Sequence, residues 1–162
     1  MTIFKEIYDL LYNNDCVIVP DFGAFVLKSH SAYIKNNTFY PPRKVISFNA
    51  MLDENDGLLV KHLSTSRNIS YKKALKTIND ETQSLKNKLS VDKKIKIDPL
   101  GYIELSSEGN LVFYPKESIN FESNSFGLTS FSKQPILKSV KKDVPSKTTS
   151  TITPVLRYAA IF

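Results

Sequence analysis

A chain of 162 residues, 41% hydrophobic and 23% charged, carries enough apolar material for one ordinary core or two small ones, which excludes a wholly unstructured polypeptide. Its single cysteine excludes an intramolecular disulfide framework and points to a reducing compartment. The net charge of +6 is no argument for a nucleic-acid surface on the folded part: from residue 131 onward six basic residues stand against Asp143 alone, leaving 16 basic and 15 acidic residues in 1–130.

Met1-Thr2-Ile3-Phe4-Lys5-Glu6 has no basic start, no unbroken apolar stretch and no small-residue cleavage site, so it does not read as a secretory signal and the folded part is expected in the cytoplasm. Ile3, Phe4, Ile7, Leu10 and Leu11 share one face of a predicted helix that ends near Asn13-Asn14. Residues 17–27 then read as strand, tight turn and strand, with Pro20, Asp21 and Gly23 in the turn. Cys16 heads this apolar run and reads as a buried structural thiol. A polar connection over 28–38 leads to Phe39-Tyr40-Pro41.

The same order then repeats. A helix is predicted over 56–66, followed by a break at Asn68-Ile69-Ser70 and a longer helix capped by Ser70. Along it, Tyr71, Leu75, Ile78, Thr82, Leu85 and Leu89 form one narrow stripe, expected to lie in a core or in a seam between the two copies. Residues 95–105 repeat 17–27 at an offset of 78, with Gly101 at the place of Gly23. Phe113-Tyr114-Pro115 echoes Phe39-Tyr40-Pro41 at an offset of 74, from which the last connection of the second copy is expected to be four residues shorter. Beyond Phe131 the composition turns to Lys, Ser, Thr and Pro without a periodic apolar face, which predicts a basic disordered linker over 132–153. The end, 154–162, is apolar but far shorter than the roughly 20 residues of a spanning helix. It reads either as a frayed end or, with Arg157, Tyr158 and the basic stretch before it, as the start of a membrane helix continuing beyond Phe162.

The predicted fold is therefore α+β, with two units, 1–53 and 54–131, each of helices plus a three-stranded antiparallel sheet, packed as an intramolecular pseudo-dimer. Nothing in it suggests catalysis. His30, His62 and Cys16 fall in different elements without metal-ligand spacing, and the five glycines are scattered rather than gathered in a phosphate-cradling loop. No enzyme activity, cofactor, metal or small-molecule substrate is expected.

The order of helix, helix, strand, Phe-Gly-x-Phe turn, strand, arm and strand resembles the HU/IHF superfamily of bacterial histone-like proteins. Asp21-Phe22-Gly23-Ala24-Phe25, Ile46-Ser47-Phe48-Asn49 and Leu100-Gly101-Tyr102-Ile103 carry the likeness. More narrowly, 1–131 resembles the tandem prokaryotic HU-like domains, of the coiled-coil-domain-containing protein 81-like class, in the cytoplasmic half of bacterial SPOR-domain envelope proteins. Here the likeness lies in 10–20, 38–42, Asn55-Asp56-Gly57-Leu58-Leu59 and Ser125-Phe126-Gly127-Leu128. It implies a non-enzymatic, DNA-associating module tethered to the inner membrane and linking nucleoid to envelope. In such proteins a membrane helix and a peptidoglycan-binding SPOR domain follow; peptidoglycan binding is not assigned to the present residues.

Two departures bear on function. The first copy has about fifteen residues before its first strand, too few for two helices, so it is expected to draw on the helix over 56–66. The superfamily's basic arm wedges a proline between base steps; here the connection 28–38 has no proline at its tip and the second is the short acidic turn 106–110, so strong bending is not expected. Lys28, Lys35, Arg43 and Lys44 around the first arm are the candidate DNA contacts, with Tyr33, Phe39 and Tyr40 interleaved; a solvated hairpin with its aromatics packed on the sheet is the competing reading. Lys86, Lys88, Lys93, Lys94 and Lys96 read as complementing a helix end and keeping the surface soluble. The alternative to DNA is a protein–protein scaffold on the cytoplasmic face of the membrane.

Overall fold

A computed structural model describes residues 3–134. Most of the linker expected over 132–153, and the whole of 154–162, lie outside the described residues. In chain order the elements are α1 (Ile3–Leu11), β1 (Cys16–Val19), β2 (Gly23–His30), β3 (Tyr33–Lys35), β4 (Thr38–Tyr40), β5 (Arg43–Asn49), α2 (Leu58–Ser66), α3 (Tyr71–Asp92), β6 (Lys94–Ile97), β7 (Gly101–Leu105), β8 (Leu111–Pro115) and β9 (Phe131–Ser132). The strands form three antiparallel sheets, ordered β1-β2-β5, β6-β7-β8 and β3-β4-β9.

The sequence repeat is built into the backbone. Phe22 N donates to Val19 O at 3.1 Å and, at the matching place in the second unit, Leu100 N donates to Ile97 O at 2.9 Å. Leu27 N meets Asp15 O at 2.8 Å as Leu105 N meets Lys93 O at 2.7 Å. Gly23 and Gly101 have φ of 140° and 148°, and a Cβ there would run into Asn49 O and Tyr114 O respectively, so both turns need glycine for conformation and for space.

The Phe-Tyr-Pro echo is a different matter. Phe39 and Tyr40 lie in β4, part of the arm, whereas Phe113 and Tyr114 lie in β8, whose counterpart is β5. Phe25 pairs with Phe48, and the whole arm lies between them; the equivalent Ile103 pairs with Phe113 across nothing longer than a turn. The second connection is thus shorter by the entire β3–β4 hairpin, well beyond the expected difference of four. The arm is an insertion, and a short string of matching residues does not fix register, which is set by strand pairing.

α3 is capped as expected, Ser70 Oγ accepting from Lys73 N. α2 begins at Leu58, slightly later than expected, because Asn55 and Asp56 turn their side chains back to accept from Gly57 N and Leu58 N. Ile78, Thr82 and Leu89 of the stripe are buried and Leu75 and Leu85 half-buried, but Tyr71 is 48% exposed and Ala74 takes its place in the core.

One apolar core serves both units, with Ile3, Ile7 and Leu11 of α1, Phe25 of β2, Leu59 and Leu63 of α2, Ile78 of α3 and Ile103 of β7 all buried in it. α2 lies against α1 and β1 as well as α3, so the helix-poor first unit shares it. Phe25 meets Phe113 edge to face at 5.6 Å across the two main sheets, and Ile3 N donates to Glu81 Oε2 at 3.0 Å. The chain folds as the intramolecular pseudo-dimer that its repeat implied.

The arm is a hairpin closed by Asn36 and Asn37, with φ of 49° and 60°, the left-handed pair that suits a two-residue turn. Its free edge is covered. Phe39 pairs with Phe131 and Thr38 with Ser132, and Lys133 N donates to Asn37 O at 3.0 Å. Ser132, expected to begin the linker, is instead part of the arm sheet, because the edge of β4 offers it a partner, and Lys133 is tied to the arm's turn by its amide.

Candidate nucleic-acid interface

Strand register decides which basic residues can act together. Lys28 stands opposite Val45 and His30 opposite Arg43, so Lys28, His30 and Arg43 share one face of the β2–β5 ribbon, away from the core face of Leu27 and Ile46. Lys28 and Arg43 are exposed. Lys35 lies farther out, opposite Thr38 and next to the Asn36-Asn37 turn.

Lys44 points to the other face. Its Nζ is 2.8 Å from Asp15 Oδ1, and that hydrogen bond holds the ammonium above its ordinary pKa. Its amide donates to Asn120 Oδ1 at 3.0 Å while its carbonyl accepts from Phe121 N at 3.2 Å. Lys44 therefore latches β5 to the head of β1 and to the end of the second unit. The structure brings Lys28 and Arg43 together, sets Lys35 on the arm and separates Lys44 from all three.

The arm aromatics pack on each other rather than on the main sheet. Tyr33 and Tyr40 stack at 4.7 Å with 9° between their planes; Phe39 stacks on Phe131 at 4.9 Å and 3°. Between the arm and the residues after β8 lies a hollow of about 580 Å³, lined by Tyr33, Tyr40, Arg43 and Lys116 among others.

A second group escaped the sequence reading. Tyr102 stands opposite both Lys96 and Tyr114, so these three share one face of the β6-β7-β8 sheet. The two tyrosine rings stack at 4.6 Å, and Lys94 Nζ sits 3.9 Å from the centre of the Tyr102 ring, a cation–π contact. A hollow of about 530 Å³ lies here, lined by Lys94, Lys96, Tyr102, Tyr114 and Lys116 with Asp98, which pairs with Lys96 at 3.6 Å. The signal was present: Lys94 and Lys96 alternate with Ile95 and Ile97, a half-buried strand rather than a helix end.

Several other polar and titratable groups serve the fold. Glu6, buried in α1, receives His62 Nε2 at 3.1 Å, Ser66 Oγ at 3.2 Å and Arg67 Nε at 3.4 Å, which ties α1 to the end of α2. Burial, then the Asp56 carboxylate, pushes the Cys16 thiol up, away from the reactive thiolate. Tyr12 is pushed up to about 12 by burial and by its 2.6 Å hydrogen bond with Tyr8. Among the described residues no group of three or more His, Cys, Asp or Glu is placed to hold a metal ion.

The described fold is two helix-and-sheet units in tandem, one carrying a β-arm, and comparison with protein families shows the class to which they belong. The model for CCDC81-like prokaryotic HU domain 1 matches residues 1–56, and that for CCDC81-like prokaryotic HU domain 2 matches residues 57–126. The chain belongs to this family, as two CCDC81-like prokaryotic HU domains in tandem. No curated protein and no solved structure matches it. HU-like domains are typically non-enzymatic DNA-binding modules.

Proposed function

We propose that this protein is a non-enzymatic module that associates with duplex DNA through Lys28 and Arg43 on the β2–β5 ribbon and Lys35 on the arm. The observation that carries this reading is the shared face of Lys28, His30 and Arg43 at the root of a projecting hairpin. Such a face can bind phosphates without reading sequence. The arm tip lacks a proline and is braced by β9, so DNA should be bent little. We further propose that the module works on the cytoplasmic side of a membrane-anchored SPOR-type envelope protein, linking nucleoid and envelope through a segment beyond Phe162. Among the described residues no helix is long and apolar enough to cross a membrane.

The test uses a chain ending at Gln134, so that the tail's charge makes no contribution. With three phosphates neutralised, log affinity should fall against log salt with a slope of about −3. Replacing Lys28, Lys35 and Arg43 together by Ala should abolish binding at moderate salt, and nicked or bent duplexes should be bound little better than straight ones. Absence of any salt-dependent binding at low ionic strength would overturn the reading in favour of a protein scaffold. That alternative has its own support in exposed apolar side chains, Ile34 at 64%, Leu128 at 57% and Phe131 at 56%.

A further inference from the structure

We infer that the protein also binds single-stranded nucleic acid, across two neighbouring hollows, one beside the arm and one on the outer face of the second sheet. This inference rests on the nucleic-acid reading above; it shares Arg43 with that reading and otherwise concerns different residues and a different form of the ligand.

The two hollows already described are neighbours, Pro115 and Lys116 lining both. One holds the stacked pair Tyr33 and Tyr40, the other the stacked pair Tyr102 and Tyr114. Each pair is fixed by strand register, the partners being directly opposite one another. Tyr33 is 45% and Tyr114 41% exposed, so aromatic surface is left open in each pair. Between and beside the pairs lie Arg43, Lys116, Lys96 and Lys94. The carboxylates lining the two hollows are fewer: Glu117, and Asp98, which Lys96 already neutralises in part.

Neighbouring aromatic platforms flanked by cations suit unpaired bases joined by phosphates. Bases can stack on tyrosine only when their faces are free, which a duplex denies, and any base will serve because each has a π-face. Aromatic rings beside Pro41 and Pro115 could also suit an extended proline-rich peptide, but such a peptide offers nothing to four cations. Charge complementarity therefore selects the nucleic acid.

The experiment is fluorescence anisotropy on the full chain with a labelled oligo-dT strand of about 12 nucleotides, a duplex of the same length, and a labelled proline-rich peptide; that length lies within the span one small stacking domain covers. The tail is the same in every variant, so differences belong to the two hollows. Tyr102→Leu with Tyr114→Leu should weaken single-strand binding about tenfold or more and leave duplex binding unchanged. Lys116→Glu, at an exposed position outside the core, should weaken single-strand binding too and guards against loss of fold in the tyrosine variant. Lys28→Ala with Lys35→Ala should show the reverse preference. Unchanged single-strand affinity in both the tyrosine and the Lys116 variant overturns the inference while duplex binding keeps the broader reading alive. Loss of binding to both nucleic-acid forms in the unaltered chain overturns both. Tyrosine-dependent binding of the peptide with none of the oligonucleotide overturns it in favour of a peptide site.

Discussion

The two HU-like units share a strand–turn–strand frame and differ in what surrounds it. The first makes a long excursion, arm included, between the paired Phe25 and Phe48 and has one helix of its own; the second makes a short one between Ile103 and Phe113 and has two helices. Each excess is met by the other unit. The first unit's missing helix is supplied by α2, and its arm is closed by β9, which follows the second unit in the chain. The duplication has thus produced two halves that are complementary rather than equivalent.

The largest effect that would break this comparison is autonomous folding of one half. Ile3, Ile7, Leu11 and Phe25 are fully or almost fully buried, in a core that includes α2, α3 and β7. Uncovering four such side chains at about 1.5–3 kcal/mol each rivals the whole stability of a small domain, about 5–15 kcal/mol. Residues 1–53 alone should therefore show no cooperative thermal transition by circular dichroism, while light scattering of residues 1–134 should report a monomer. A cooperative melt of the isolated 1–53 fragment is the result that sinks the idea.

A smaller effect sharpens it. Gly23 and Gly101 occupy the same place in the frame, but their surroundings differ. A Cβ on Gly23 would meet chiefly the Phe48 ring at 2.5 Å and Asn49 O at 2.8 Å, and the ring can yield. On Gly101 all three of the nearest atoms are backbone, from Tyr114, Pro115 and Lys116. Gly101→Ala should cost about 2–4 kcal/mol and Gly23→Ala about 1–3 kcal/mol, read as shifts in urea midpoint. A reversed order would mean that the first sheet, not the second, is the more rigid.

What was legible in the sequence was local. The Phe-Gly-x-Phe turn, the Ser70 cap and the stripe through Ile78 and Leu89 each follow from rules that act over a few residues, and each is present in the fold. Register was not legible, because Phe39-Tyr40-Pro41 resembles Phe113-Tyr114-Pro115 as a string while pairing places Phe48 opposite Phe25 as Phe113 stands opposite Ile103. Nor was β9, a short stretch at the edge of a Lys- and Ser-rich tail that becomes a strand only because β4 offers a partner. Lys44 shows the same limit at the candidate site: its ion partner Asp15 lies on another element, far back in the chain, and nothing around Lys44 announces it. The tyrosine and lysine face of the second sheet is within reach of the sequence, because Lys94 and Lys96 alternate with Ile95 and Ile97 in a strand, although the same lysines also follow the end of α3.

The smallest expected effect isolates the brace. A hairpin as short as β3–β4 is marginal by itself in water. Here three contacts hold it: the Phe39–Phe131 stack at 4.9 Å, the Thr38 Oγ1–Ser132 Oγ hydrogen bond at 2.8 Å and the Lys133 N–Asn37 O bond at 3.0 Å. Phe131 is 56% exposed, so Phe131→Ala removes little burial, and the loss should be close to the about 0.5–1.5 kcal/mol of an aromatic pair. Global stability should hardly move, because the arm adds nothing to the main core and opens without it. Arm amides should nonetheless exchange up to about tenfold faster, the factor that such an energy allows locally. The turn of the second unit supplies the control within the same molecule. It closes on itself through Ser106 N to Asn110 O at 2.8 Å and Gly109 N to Ser106 O at 3.0 Å, needs no strand from elsewhere, and should keep its exchange rates. If arm exchange in Phe131→Ala matches that of the unaltered chain, β9 is not what steadies the arm, and the complementarity of the two halves reduces to the shared helix α2.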